Sequence, residues 1–300
     1  MSDNLVHALA GAGGGIISMA ITYPLITISS RLQVQRSHDS EAKYKGNFDA
    51  FKKILATEGV TGLFSGIESA LFGAALTNGV YYYFFEATRK VLIKFSRHGS
   101  INTFESLISG SIAGAMTAII TNPIWVINTR LTVKDPNSKL SGSTLHELMQ
   151  VIKTDGILSL WQGIGPALIL VLNPVIQYSL FEQLKNYISK TRKLGNLDFF
   201  LLGALSKLIA TSVTYPYIVV KSRMQMRQSK TDSSLRYDSI SDGFSKILST
   251  EGVKGLYKGI ESKLTQSVLT AAILFMSKEA LYKNTLILLS ILSSRSKLRR

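Results

Sequence analysis

Three prolines in matching surroundings constrain this chain more than any other feature. Pro24, Pro123 and Pro216 lie 99 and 93 residues apart, each inside an apolar stretch, and seven residues after each stands an arginine, Arg31, Arg130 or Arg223. A second marker follows each proline: Glu58-Gly59-Val60-Thr61-Gly62-Leu63-Phe64-Ser65-Gly66 returns as the segments 155–163 and 251–259, at spacings of 97 and 96. A third marker, an acid about twenty residues beyond the last glycine, falls at Glu86, Glu182 and Glu279. Three markers in three copies and one order make the chain a triplicated unit, with repeats at 1–97, 98–193 and 194–300 and a short basic tail on the third.

The repeats are membrane-like. Hydrophobic residues make up 46% of the chain and charged ones only 18%, for a mean hydropathy of +0.20. The apolar stretches 5–28, 104–127 and 199–220 carry very few charges and are separated by Lys- and Arg-rich segments. Each repeat therefore supplies two spans, at 5–33 and 68–92, 102–131 and 164–186, and 196–225 and 260–284. A polar loop with a short amphipathic stretch, such as 48–55, joins the two spans. The expected fold is an all-α membrane protein of six transmembrane helices with pseudo-threefold symmetry, both termini on one side. The opening Met-Ser-Asp-Asn-Leu lacks a basic n-region, so 5–28 reads as a first span and not as a secretory signal. A proline removes one backbone donor and crowds the preceding turn, so the odd helices are expected to kink at one depth. Gly11 with Gly15, and Gly110 with Gly114, read as close-packing pairs.

Other classes are excluded. The absence of Cys removes disulfides and thiolate metal sites, and four scattered His make no ligand set, so neither metal nor cofactor is expected. No Gly-rich phosphate loop and no nucleophile motif is present, so the chain does not read as an enzyme. The net charge of +15 sits in loops and helix ends without a recognition motif, which speaks against nucleic acid and for lipids or an anionic solute.

This constellation resembles the mitochondrial carrier family over nearly the whole chain, to about residue 284. Its stretches 22–31, 122–130, 173–178, 214–223 and 269–272 look like the peroxisomal nucleotide and cofactor carriers of that family. The resemblance implies alternating access, with a central site closed in turn at either end by ion pairs between neighbouring repeats. At the inner end the acid positions hold Ile26, Trp125 and Ile218, and the base positions Ser29, Asn128 and Lys221, so no inter-repeat ion pair is expected there. Packing and weak hydrogen bonds would close it, helped by Gln33 and Gln225, which occupy the family's bracing position. At the cytosolic end Glu86, Glu182 and Glu279 are expected to engage Arg89, Lys185 and Tyr282. The cytosol-closed state is accordingly expected to be relatively favoured.

A threefold scaffold around an asymmetric solute should carry its recognition residues where the repeats differ. Nine residues before the prolines stand Gly15, Gly114 and then Lys207, a lone cation about 13 Å from its proline in an apolar helix. Thirteen residues before the three acids stand Gly73, Ile169 and Gln266, and nine before them Thr77, Asn173 and Thr270. The resemblance places the central contacts at Gly73, Ile169 with Leu170, and Gln266 with Ser267, with Asn173 nearby and Lys263 one turn deeper. Lys207, Lys221 and Lys263 would hold phosphate, and Gly73 with Ile169 would leave an apolar slot for a base. Of Tyr81, Tyr82 and Tyr83, at most two can line a pore, and the rest suit a membrane interface. The expected activity is exchange of adenine nucleotides, ATP for AMP or ADP, across the peroxisomal membrane by a monomer. The alternative is a carrier of NAD, coenzyme A or FAD in the peroxisome or the mitochondrial inner membrane.

Overall fold

The computed structural model describes residues 3–36, 44–95, 102–133, 143–226 and 236–273, and every regular element among them is helical. Glu279, Tyr282 and the basic tail lie outside the described residues. The first repeat contributes α1 (Asp3–Val34), α2 (Asn47–Gly62) and α3 (Ile67–Phe95). The second has α4 (Thr103–Thr132), α5 (Thr144–Asp155), a 3-10 helix (Ile157–Trp161), α6 (Ile164–Ile169) and α7 (Leu172–Ser189). The third has α8 (Asn196–Gln225), α9 (Ile240–Gly255) and helical residues 260–273, here α10.

Four of these segments are long and apolar enough to cross a membrane: Gly14–Val34, Thr103–Thr132, Ile157–Ser189 and Leu197–Gln225. A fifth forms where α3 follows α2 across a bend of 73°. The expected sixth span begins in α10 and runs beyond the described residues.

Local chemistry explains the boundaries. Asn102 Oδ1 accepts the Glu105 amide at 2.8 Å while Glu105 returns the bond to the Asn102 amide at 2.8 Å, a capping box that starts α4. The glycine of each acid-glycine pair turns the chain out of the amphipathic helix. Gly59, Gly156 and Gly252 have φ of 69°, 85° and 65° with extended ψ, a region that side chains do not tolerate. The odd helices run through their prolines without a break. Pro123 cannot donate to the Ile119 carbonyl, and Trp161 Nε1 takes that acceptor at 2.9 Å. Pro174 cannot donate to Leu170, whose carbonyl instead accepts the Asn173 amide at 3.0 Å, and the chain makes a turn at Leu170 and Val171 between α6 and α7.

α3 lies along α4, α7 along α8, and α1 meets α8. Gly114 permits a further approach, of α4 to the junction of α6 and α7, since a β-carbon there would stand 2.7 Å from Val171. The buried core divides into three clusters, one per repeat, each joining the end of an odd helix to its amphipathic helix: Ile28, Leu32 and Ile54; Ile127, Leu131 and Val151; Val219, Val220 and Ile247. Away from these clusters large apolar side chains such as Phe72, Tyr83 and Val213 face outward, at 61%, 68% and 60% exposure. Outward apolar surface of this extent belongs in hydrocarbon, where helices gain little by hiding it from one another.

Candidate functional site

At the C-terminal ends of the odd helices the three repeats are tied in a ring. Arg31 Nε donates to the Thr132 carbonyl at 3.1 Å, Arg130 Nε to Gln225 at 3.2 Å, and Arg223 Nε to Gln33 at 2.9 Å. Each acceptor stands nine residues after its own proline, so every repeat clasps the next at one register. Each arginine also pairs with the acid of its own repeat: Arg31 with Glu58, Arg130 with Asp155 at 2.6 Å, Arg223 with Glu251 at 2.7 Å. These six residues were legible only as repeat markers. Their joint role adds ion pairs within repeats to this end, while hydrogen bonds link one repeat to the next.

The base positions add to the ring. Ser29 Oγ donates to the Gly259 carbonyl at 3.1 Å, and Asn128 Nδ2 to the Gly66 carbonyl at 2.9 Å. The Lys221 carbonyl lies 3.1 Å from where Gly163 would carry a β-carbon. Gln33 donates to Ser29 Oγ and Tyr215 Oη and accepts from Ser222. Gln225 accepts from Thr129 Oγ1 at 2.9 Å. This end is closed.

The opposite end is different. Arg89 pairs with Glu86 at 3.3 Å and Lys185 with Glu182 at 2.8 Å, each on its own helix. The expected reach to adjacent helices is not made in this state, because a base three residues after an acid finds it on the same helix first.

Between the ends lie two cavities of about 770 and 760 Å³ that share Leu170, Pro174, Gln177 and Gly203. The first is walled by α3, α4 and α7, with Thr77, Tyr81, Trp125, Tyr178 and Phe181, and Lys221 reaches it from α8. The second is lined by Asn173, Lys207, Lys263, Gln266, Ser267 and Thr270. Lys207 and Lys221 stand near enough to Lys263 for their charges to act on it. Among the described residues no carboxylate forms an ion pair with any of the three. Three clasps hold the lobes where each even helix meets the next odd one: Trp125 Nε1 donates to Thr77 Oγ1 at 3.0 Å, Asn173 Nδ2 to Thr214 Oγ1 at 2.7 Å, and Thr22 and Thr270 share a bond of 2.9 Å.

Most of the expected contacts, then, line one lobe. Leu170 borders both lobes. Ile169 lines a third cavity with Trp161 and Tyr217, because neighbours on a helix point about 100° apart and Leu170 takes the direction of the lobes. Gly73 packs against α4, where a β-carbon would come within 3.0 Å of Ile124 and 3.6 Å of the Trp125 ring. The expected Gly73 and Ile169 slot is therefore not assembled in this state. Tyr81 faces the first lobe, while Tyr82 and Tyr83 are two-thirds exposed.

The family model described as mitochondrial carrier protein matches residues 2–96, 99–192 and 193–287. The chain belongs to the mitochondrial carrier family. It is 38% identical to peroxisomal membrane protein PMP47B of Candida boidinii, over 93% of this chain and 86% of the relative. It is 38% identical to the peroxisomal nicotinamide adenine dinucleotide carrier of Arabidopsis thaliana, over 97% and 98%. With the peroxisomal adenine nucleotide carrier 1 of Glycine max it shares 28%, over 96% and 93%. This carrier is a transporter of the peroxisomal membrane and not an enzyme.

Proposed function

We propose that this carrier exchanges adenine nucleotides, ATP against AMP or ADP, by alternating access. The observation that carries the reading is the set Lys207, Lys221 and Lys263 around the shared wall of the two lobes, without a carboxylate partner among the described residues. Cations held this deep in a membrane protein need a water-filled cavity or an anion. Several phosphate oxygens can engage three ammonium groups at once, as point charges. The other walls are apolar and aromatic, which suits a planar base. The substrate-binding set is Lys207, Lys263, Asn173, Leu170, Gln266 and Ser267, with Lys221 at its inner margin.

A second reading keeps the fold and takes NAD, coenzyme A or FAD. It is supported by the two-lobed cavity, which gives room for a second moiety beside the adenylate, and by the greater similarity to the relative named as a nicotinamide adenine dinucleotide carrier. Counter-exchange separates the two. Liposomes loaded in turn with ATP, ADP, AMP, NAD, coenzyme A and FAD are given labelled ATP outside. Uptake driven by internal ATP, ADP and AMP supports the first reading, while uptake driven best by the dinucleotides or coenzyme A replaces it with the second.

A further inference from the structure

Trp125 breaks the threefold pattern in a way that neither closure nor packing accounts for. Two residues after the proline, the sister repeats carry Ile26 and Ile218, so only the second repeat places an aromatic ring at this depth. The ring is held in one orientation. Its Nε1 donates to Thr77 Oγ1 at 3.0 Å, across to α3. Its edge lies over Gly73, where an added β-carbon would stand 3.6 Å from Cε2 and Cζ2. Gly73 is thus covered by Ile124 and the edge of the indole and is not itself a face for a solute. The ring nevertheless remains partly exposed, and it lines the first lobe together with Tyr81, Tyr178 and Lys221.

We infer that Trp125 is the base-stacking wall of the transport site, and that the solute lies with its purine in the first lobe and its phosphates in the second. The inference rests on the adenine-nucleotide reading above and adds a polarity to it. A partly exposed indole fixed by its only donor offers a flat π-face at little ordering cost, and bases stack on such faces whatever their hydrogen-bonding pattern. The two lobes meet at Leu170, Pro174, Gln177 and Gly203, so a nucleotide laid across that seam reaches Lys207 and Lys263 with its phosphates. Lys221 adds a cation to the lobe that holds Trp125. Replacing the family's gate acid by a tryptophan therefore turns a gate position into part of the binding surface.

The chain has two tryptophans, and Trp161 lines the third cavity, so Trp161→Phe leaves Trp125 as the single indole reporter. Its emission is recorded in liposomes while ATP, AMP, NAD or inorganic tripolyphosphate is added. The adenine compounds should quench it saturably, in the concentration range of their exchange KM, and tripolyphosphate should compete for the lysines without quenching. Trp125→Leu should raise the exchange KM about tenfold with less change in the maximal rate. Trp125→Phe, which keeps a ring and loses the bond to Thr77, should lie nearer to wild type. If wild-type protein exchanges no adenine compound, the functional reading falls and this inference with it. If it exchanges adenine nucleotides while Trp125 emission stays constant, or while tripolyphosphate quenches equally, the assignment to Trp125 falls and the functional reading stands.

Discussion

Lys207 Nζ donates to Asn173 Oδ1 across 3.3 Å, while the amide nitrogen of Asn173 donates to Thr214 Oγ1 at 2.7 Å. Asn173 therefore spends one end of its amide holding α7 to α8 and offers the other to the cavity lysine. A neutral acceptor at this distance orients an ammonium group without satisfying its charge, so a phosphate can displace it.

An anion at that position should compete with the solute. Asn173→Asp gives Lys207 a permanent counter-charge and removes the donor to Thr214. The exchange KM for ATP should rise about tenfold, with the effect reduced at high salt. An unchanged KM would mean that Lys207 does not meet the phosphates.

The closed ring should dominate stability. Arg223 and Glu251 are 1% and 3% exposed, so Arg223→Met leaves a buried carboxylate with Lys258 alone and deprives the Gln33 carbonyl of a donor. Breaking such a pair costs about 3–5 kcal/mol. The thermal midpoint in detergent should fall by several degrees, and the double variant Arg223→Met with Glu251→Gln should recover part of the loss. No change in midpoint would place the ring outside the stability of this state.

The same pair sets a pH dependence. Burial opposes the charge on Glu251, but bonds from Arg223 and from Lys258, the latter at 2.5 Å, outweigh it and hold the carboxyl below its ordinary 4.5. A carboxyl lowered on folding contributes stability that is present above its unfolded value and lost as pH falls through its folded one. Unfolding followed below pH 4.5 should show a steep loss in wild type and a shallower one in Glu251→Gln. Equal slopes would remove Glu251 from the acid response.

The end that carries Glu86 and Glu182 makes a separate prediction. Glu182 pairs with Lys185 on its own helix in this state, and a gate role requires it to exchange that partner for one on a neighbouring helix when this end closes. Glu182→Gln should then weaken that closure, so a cysteine introduced by Ala271→Cys in the second lobe should label faster from the cytosolic face. The native chain has no cysteine to confuse the readout. Unchanged labelling would dissociate the acids from gating.

The fold was legible because three markers recur in one order, and a period cannot arise from local propensity alone. The ring was only half legible. The acids follow their arginines by 27, 25 and 28 residues, a regularity that signals pairing, but the carbonyl acceptors of the next repeat carry no side-chain signature. Counting back from the acids leads to Asn173 and Gln266, which line the second lobe, and to Ile169, which lines another cavity. Residue counts give depth along a helix and not direction, since neighbours on a helix point about 100° apart. Gly73 was read as open space for a solute, although Ile124 and the edge of Trp125 cover it.

Lys207 carries the account most directly, and uptake of labelled ATP into ATP-loaded liposomes by wild type and Lys207→Ala tests it. Wild type should exchange, and the variant should retain its thermal midpoint within a few degrees while losing exchange about ten- to a hundredfold, the loss expected for a hydrogen bond to a charged group. Lys207→Arg should recover little, because a planar fork does not occupy the position of a point charge. Exchange at the wild-type rate by folded Lys207→Ala would contradict the account.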